Sequence, residues 1–186
     1  MNEMTRISAA AATEFGARFT TAEFLRMIEV DAFEDWKVEL IEGELQRMPP
    51  PGNDHSRRVV DVVAGLLGVA LKPLVRAETG IDLGNDTVVG CDAALLREAI
   101  VGRGMMRPEN VVLAVEIAET TRDRDLGMKR RKYAAAGIPN YWVVDAERSA
   151  VHVHAEPLHG DYANINTVRF GEPLSIPGSV ATITLD

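Results

Sequence analysis

Residues 111–118, Val111-Val112-Leu113-Ala114-Val115-Glu116-Ile117-Ala118, form an apolar run of strand length with one carboxylate in its interior. A short run rich in β-branched residues reads as a buried strand. A carboxylate inside such a strand is costly unless positive charge compensates it. Alternation sets Leu113 with Val115 on one face and Ala114 with Glu116 on the other. A second run, Thr87-Val88-Val89-Gly90-Cys91-Asp92, reads as another buried strand and closes on another carboxylate. The basic helix after Glu116 carries Lys129. Leu126, Lys129, Tyr133 and Ala136 recur at helical spacing, so Lys129 leans into the apolar stripe while Arg131 and Lys132 project elsewhere. Two strand carboxylates and a helical lysine suit a divalent cation and a phosphate, which points to metal-assisted cleavage of nucleic acid. Each residue also has a plainer reading: a strand-end aspartate can cap a loop, and a lysine can snorkel over a core edge.

Outward from these runs, the chain divides into alternating helices and strands. Thr20-Thr21-Ala22-Glu23 has capping-box spacing and opens a short helix to about Ile28, preceded by a loose tail over residues 1–18. Lys37 to Met48 reads as a hairpin turning at Glu42-Gly43, stopped by Pro49-Pro50-Pro51-Gly52. Asp54 is placed to cap a helix to about Leu71, with Val59, Val62, Val63, Leu66 and Ala70 on its apolar face. Glu78–Leu83 and Thr87–Leu95 read as strands about the Gly84-Asn85-Asp86 turn, and Arg97–Arg107 as either a short helix or a loop. The basic helix spans about Arg124 to Ala136, ended by Gly137 and Pro139. Tyr141–Val144 and Ala150–Ala155 form a hairpin, and two late strands lie near Thr167–Phe170 and Val180–Leu185. No repeat or linker interrupts the pattern, which predicts a single α/β or α+β domain over residues 19–186.

Composition narrows the function. The chain has 186 residues, a net charge of −8 and one cysteine. The single cysteine excludes an internal disulfide framework and suits the cytosol. No apolar run reaches the length of a membrane span, and the N-terminal stretch lacks the apolar core of a signal peptide. The negative charge argues against a passive nucleic-acid binder, since such domains carry a positive footprint. The charge is uneven, however. Acidic residues crowd from Glu29 to Glu44, whereas Arg130-Arg131-Lys132 follow Lys129 and offer a basic rim. His55 alone reads as a capping or surface group. His152 and His154 share one strand face, read here as exposed, and no third ligand at zinc-type spacing lies nearby. No phosphate-binding loop, dinucleotide fingerprint or serine nucleophile elbow is present.

Several stretches together resemble one family. They are Val38-Glu39-Leu40-Ile41-Glu42-Gly43-Glu44-Leu45, then Met48-Pro49-Pro50-Pro51-Gly52 with His55. Asp86-Thr87-Val88-Val89 follows ahead of Asp92, and after it Val115-Glu116-Ile117-Ala118-Glu119-Thr120-Thr121. The most specific is Asp125-Leu126-Gly127 with Lys129, Tyr133, Ala136-Gly137-Ile138-Pro139 and Tyr141-Trp142-Val143-Val144-Asp145. In order and spacing, from Phe19 nearly to the C-terminus, they resemble the Uma-type putative restriction endonuclease family, a bacterial branch of the PD-(D/E)xK nucleases.

The resemblance implies a restriction-endonuclease-like core, a mixed central β-sheet flanked by helices. It implies a cytoplasmic Mg²⁺-dependent endonuclease acting on DNA, with Mn²⁺ as a substitute, and a homodimer. It assigns catalysis to Asp92, Glu116 and Lys129, with the cation held by Asp92, Glu116 and the backbone carbonyl of Ile117. Glu39, Glu44, His55 and Tyr133 are accessory positions. The superfamily's usual lysine position, two residues after Glu116, is Ala118, and Lys129 supplies the lysine instead. Cys91 replaces the proline before the motif aspartate, a residue that shapes the strand without supplying a ligand. The alternatives are a catalytically inactive module that binds DNA or protein, and a non-nuclease metal protein built on His152 and His154.

Overall fold

The computed structural model describes residues 16–102, 104–119 and 121–186. Most of the predicted N-terminal tail, residues 1–15, lies outside them. Its last residue is anchored: Arg18 donates to the Glu42 carbonyl at 3.0 Å and pairs with Glu44 at 3.1 Å. Helix α1, Thr21–Glu29, starts at the predicted capping box. The predicted hairpin is β1, Lys37–Ile41, and β2, Glu44–Met48. Helix α2, Asn53–Val69, is capped by Gly52 rather than Asp54, which lies inside the first turn. There follow β3 (Val75–Gly84), β4 (Thr87–Leu96) and β5 (Val111–Ala118). Between β4 and β5 the chain is a loop, described except at residue 103, whose Met106 bridges to Ile81.

The basic helix is not uniform. It comprises α3 (Arg122–Arg124), a π-helical turn (Asp125–Lys129) and α4 (Arg130–Ala135). Then come β6 (Asn140–Asp145), β7 (Ala150–Leu158), β8 (Asp161–Arg169) and the short pair β9 (Leu174–Ser175) and β10 (Thr182–Ile183). Strand β8 is far longer than predicted, because its middle, Ala163–Thr167, is exposed and holds a single large apolar residue, Ile165, too weak a pattern to mark a strand.

The eight strands β1–β8 make one mixed sheet in the order β2-β1-β4-β5-β6-β7-β8, with β3 also paired to β4. Only β5 and β6 run parallel. A parallel neighbour requires a crossover, and here the basic helix supplies it. One face of the sheet packs on α4 through Ala114, Ala118, Tyr133, Ala134, Ile138 and Tyr141. The other packs on α2 and β9–β10 through Val62, Leu66, Leu113, Val115, Ile117, Trp142 and Ile183. The architecture is the predicted α+β one, a mixed central sheet flanked by helices.

Two irregularities position the site. Along one edge of β4, β1 pairs only at Val88 and β5 pairs from Ala93 onward, so residues 89–92 have no strand partner there. In addition, β4 changes face: Val89 and Cys91 lie in one core, yet Ala93, two residues on, lies in the other. Strand β3 changes face at the same point, keeping its register across Ala77↔Ala93 and Thr79↔Cys91. The residues between these pairs are Glu78, in the left-handed region at φ 46°, and Asp92. The Cys91 thiol donates to the Ala93 carbonyl across the break, at 3.0 Å.

Candidate active site

The gap in the β4 edge is filled by side chains. Gly90 would use its N–H and carbonyl to join a neighbouring strand. Instead its N–H donates to Glu39 Oε1 at 2.9 Å, and its carbonyl accepts from Lys129 Nζ at 2.9 Å. Glu39 is buried on β1, and Lys129 ends the π-helical turn that brings it over the sheet. A Cβ at Gly90 would stand 3.3 Å from Lys37 Cε, so glycine lets these side chains close on the strand.

Asp92 repairs the next rung. The β4–β5 ladder stops at Ala93↔Val115, and Asp92 Oδ2 accepts the Ile117 N–H at 2.7 Å in place of a backbone carbonyl. Its Oδ1 lies 3.4 Å from His55 Nε2 on the first turn of α2. Burial pushes the Asp92 carboxyl up, but the bonds from His55 and Ile117 outweigh it and hold the group below the usual carboxylate range.

Glu116 projects to the Tyr133 side of the sheet, as its alternation with Ala114 predicted. Its Oε1 accepts from Lys129 Nζ at 2.9 Å and from the Tyr133 hydroxyl at 2.7 Å. No described residue donates to Oε2. Burial drives the Glu116 carboxyl well above its ordinary range, with the Lys129 ammonium pulling it down and the Asp92 charge adding to the rise. Burial alone would discharge Lys129, but Glu116, Glu39 and Asp125 outweigh it and keep the ammonium charged. Lys129 also lies 3.1 Å from Glu39 Oε1, while Arg124 pairs with Glu39 Oε2.

These groups line one cavity of about 80 Å³, together with Lys37, His55, Glu119, Thr121, Asp125 and the Met48–Gly52 loop. A single water needs ~10–15 Å³, so a cation with a few waters fits. Glu39, Asp92, Glu116 and Asp125 are all buried, and Lys129 is the buried cation among them, with Arg124 paired to Glu39. Four buried carboxylates around one buried lysine, with Arg124 pairing Glu39, are the donor chemistry of a divalent cation site.

Of the predicted positions, Asp92, Glu116, Ile117, Lys129, Glu39 and His55 line the cavity, and the Tyr133 hydroxyl donates to Glu116. Glu44 does not: alternation along β2 turns it outward to Arg18, 60% exposed. The basic rim also lies elsewhere, since Lys132 pairs with Glu42 and Arg130 with Asp161 at 2.8 Å. The face of His152 and His154 is not exposed. His154 is buried between Tyr141 and Tyr162, with its ring 3.2 Å from the Tyr141 carbonyl. Sequence reading missed Lys37, Glu78 and Asp125. Asp125, whose Oδ2 accepts from the Thr121 hydroxyl at 2.6 Å, stands in the sequence only as one member of the Asp125-Leu126-Gly127 motif.

A family model described as Uma2, putative restriction endonuclease, matches residues 21–186. Among solved structures, the chain is similar to the crystal structure of a putative nuclease belonging to DUF820 from Anabaena variabilis. The TM-score is 0.63 at 18% identity, covering 86% of this chain and 89% of that one. At that identity the likeness concerns the fold alone. No curated protein matches the chain.

Proposed function

This chain belongs to the Uma2 putative restriction endonuclease family, and from that membership and the cavity we propose that it is a Mg²⁺-dependent endonuclease hydrolysing phosphodiester bonds of DNA. The observation that carries the reading is the convergence of Asp92, Glu116 and Lys129 on one cavity from β4, β5 and the crossover helix. Asp92 and Glu116 would hold the cation, with the Ile117 carbonyl as a further oxygen ligand, and Mn²⁺ would substitute. Bound there, the ion supplies Lewis-acid polarisation of the scissile phosphate and a lowered pKa for a coordinated water.

The remaining chemistry falls to the protein. Lys129 stays protonated among carboxylates, so it acts as a fixed positive charge for the anion developing on phosphorus and not as a proton acceptor. Glu39 and the Gly90 carbonyl aim its ammonium, and Tyr133 fixes the rotamer of Glu116. The substrate lies over the cavity, whose volume of about 80 Å³ is too small to take in a nucleotide. No helix among the described residues is long and apolar enough to cross a membrane. We also propose a homodimer, because β8 is a long outer strand of the sheet with Ile165 55% exposed.

The test is incubation of the purified protein with supercoiled plasmid and with a structured RNA, each with Mg²⁺ and with excess EDTA. Plasmid nicking that requires Mg²⁺ is expected. Cleavage confined to RNA would move the substrate class, and cleavage of neither would contradict the reading.

A further inference from the structure

Asp92 divides its oxygens. Oδ2 is fixed by the Ile117 N–H, whereas Oδ1 receives no backbone N–H from any described residue and faces His55 Nε2 at 3.4 Å. Glu78 repeats the arrangement. Its Oε2 takes the Lys37 ammonium at 2.7 Å, and its Oε1 lies 4.0 Å from the same His55 nitrogen. One ligand atom from each of His55, Glu78 and Asp92 lies within 4.8 Å of the other two. The matched change of face in β3 and β4 brings this about, because it sets Glu78 beside Asp92 beneath the start of α2.

We propose that His55, Glu78 and Asp92 form a cation subsite with an imidazole ligand, which takes a transition-metal dication such as Mn²⁺ in preference to Mg²⁺. Ligands about 2.1 Å from a common ion stand about 3 Å apart in adjacent positions and about 4.2 Å apart in opposite ones. The spacings of 3.4 and 4.0 Å lie between these limits. Each carboxylate is pre-anchored through its other oxygen, so closing on an ion costs little reorganisation. The Asp92 side chain is only 8% exposed, and among the described residues the polar contact of its Oδ1 is with His55 of the same cluster. Glu78, 45% exposed, leaves the outer side open for water ligands. A nitrogen donor discriminates among cations: imidazole binds first-row transition metals well, whereas Mg²⁺ prefers an all-oxygen shell and keeps its waters. Lys37 neutralises Glu78 in the apo protein and is the group an incoming cation competes with.

This inference shares Asp92 with the proposed nuclease centre and deepens that reading, but it is tested by metal binding without substrate. Mn²⁺ alone is titrated into the full chain, with free Mn²⁺ read by electron paramagnetic resonance, and Mg²⁺ is titrated in parallel by calorimetry. His55→Gln and Glu78→Gln, both at partly exposed side chains, should each weaken Mn²⁺ binding by about tenfold or more while changing Mg²⁺ affinity less. Glu116→Gln should keep the His55-dependent Mn²⁺ binding. Near-ultraviolet circular dichroism matching the wild type establishes that the variants are folded. Mn²⁺ isotherms of the His55 and Glu78 variants that overlay the wild type overturn the subsite, as do equal losses for Mn²⁺ and Mg²⁺. A protein that cleaves DNA with His55-independent Mn²⁺ binding loses this inference and keeps the nuclease reading; one that binds Mn²⁺ through His55 but cleaves nothing does the reverse.

Discussion

Lys129 makes three contacts through one nitrogen, to Glu116, Glu39 and the Gly90 carbonyl, and each contact is also a debt when the lysine is removed. Lys129→Ala leaves two buried carboxylates short of a partner, and breaking such a pair typically costs ~3–5 kcal/mol. A lower melting temperature is therefore expected, together with a loss of ~10²–10³ in cleavage rate measured well below that temperature. Lys132→Ala removes only a pair with the exposed Glu42 and should leave the cleavage rate unchanged. Equal losses in the two variants would show that the helix acts as a diffuse basic surface. Glu116 behaves differently from Lys129 at this scale. Burial opposes its charge and lifts the carboxyl well above its ordinary range, so Glu116→Gln should melt no lower than the wild type in the absence of metal, as differential scanning calorimetry would record.

At the scale of elements, strands with a uniform apolar pattern are legible and those with a broken one are not. The β5 run is apolar on both faces, so its single carboxylate stands out, and alternation alone gives the side to which Glu116 points. The change of face at Glu78 and Asp92 has no such signature, because Ala77, Cys91, Ala93 and Ala94 are small and accept either side. Without it, Glu78 reads as an ordinary strand start and His55 as a surface group. The π-helical turn is equally silent in sequence, yet Lys129 and Tyr133 both face inward, the side that helical spacing predicts for them. His154 shows the cost of judging exposure from alternation: α4 packs over β7 and β8, and Tyr141 and Tyr162 enclose the ring.

Burial holds the His154 ring down, to about 4 from its ordinary 6.5, with the Tyr141 carbonyl opposing and Arg130 and His152 adding to the fall. Between these values the unfolded chain binds a proton that the folded chain refuses. The contribution of His154 to stability is thus complete above about 6.5 and is lost as the pH falls towards 4. The loss is on the order of 1–3 kcal/mol. Melting temperatures of the wild type should drop across this range more steeply than those of His154→Gln, which keeps a donor for the Tyr141 carbonyl. Parallel slopes would contradict the assignment.

For the molecule as a whole, the net charge is −8, and Arg130 and Lys132 are paired with Asp161 and Glu42 away from the cavity, which leaves nucleic-acid binding to few of the described residues. Among the described residues, Lys37 and Lys129 are the lysines that line the cavity, with Arg124 paired to Glu39, and affinity for DNA should therefore fall only shallowly with salt. The outer strand β8 predicts a dimer, and sedimentation at micromolar concentration should show a species of twice the monomer mass; a monomer alone would contradict it. The central claim is that the buried carboxylates beside Lys129 serve phosphodiester hydrolysis. Its most direct test compares plasmid cleavage in Mg²⁺ by the wild type and by folded Glu116→Gln, purified identically. The account predicts cleavage by the first and none above background by the second; equal cleavage, or none from either, would contradict it.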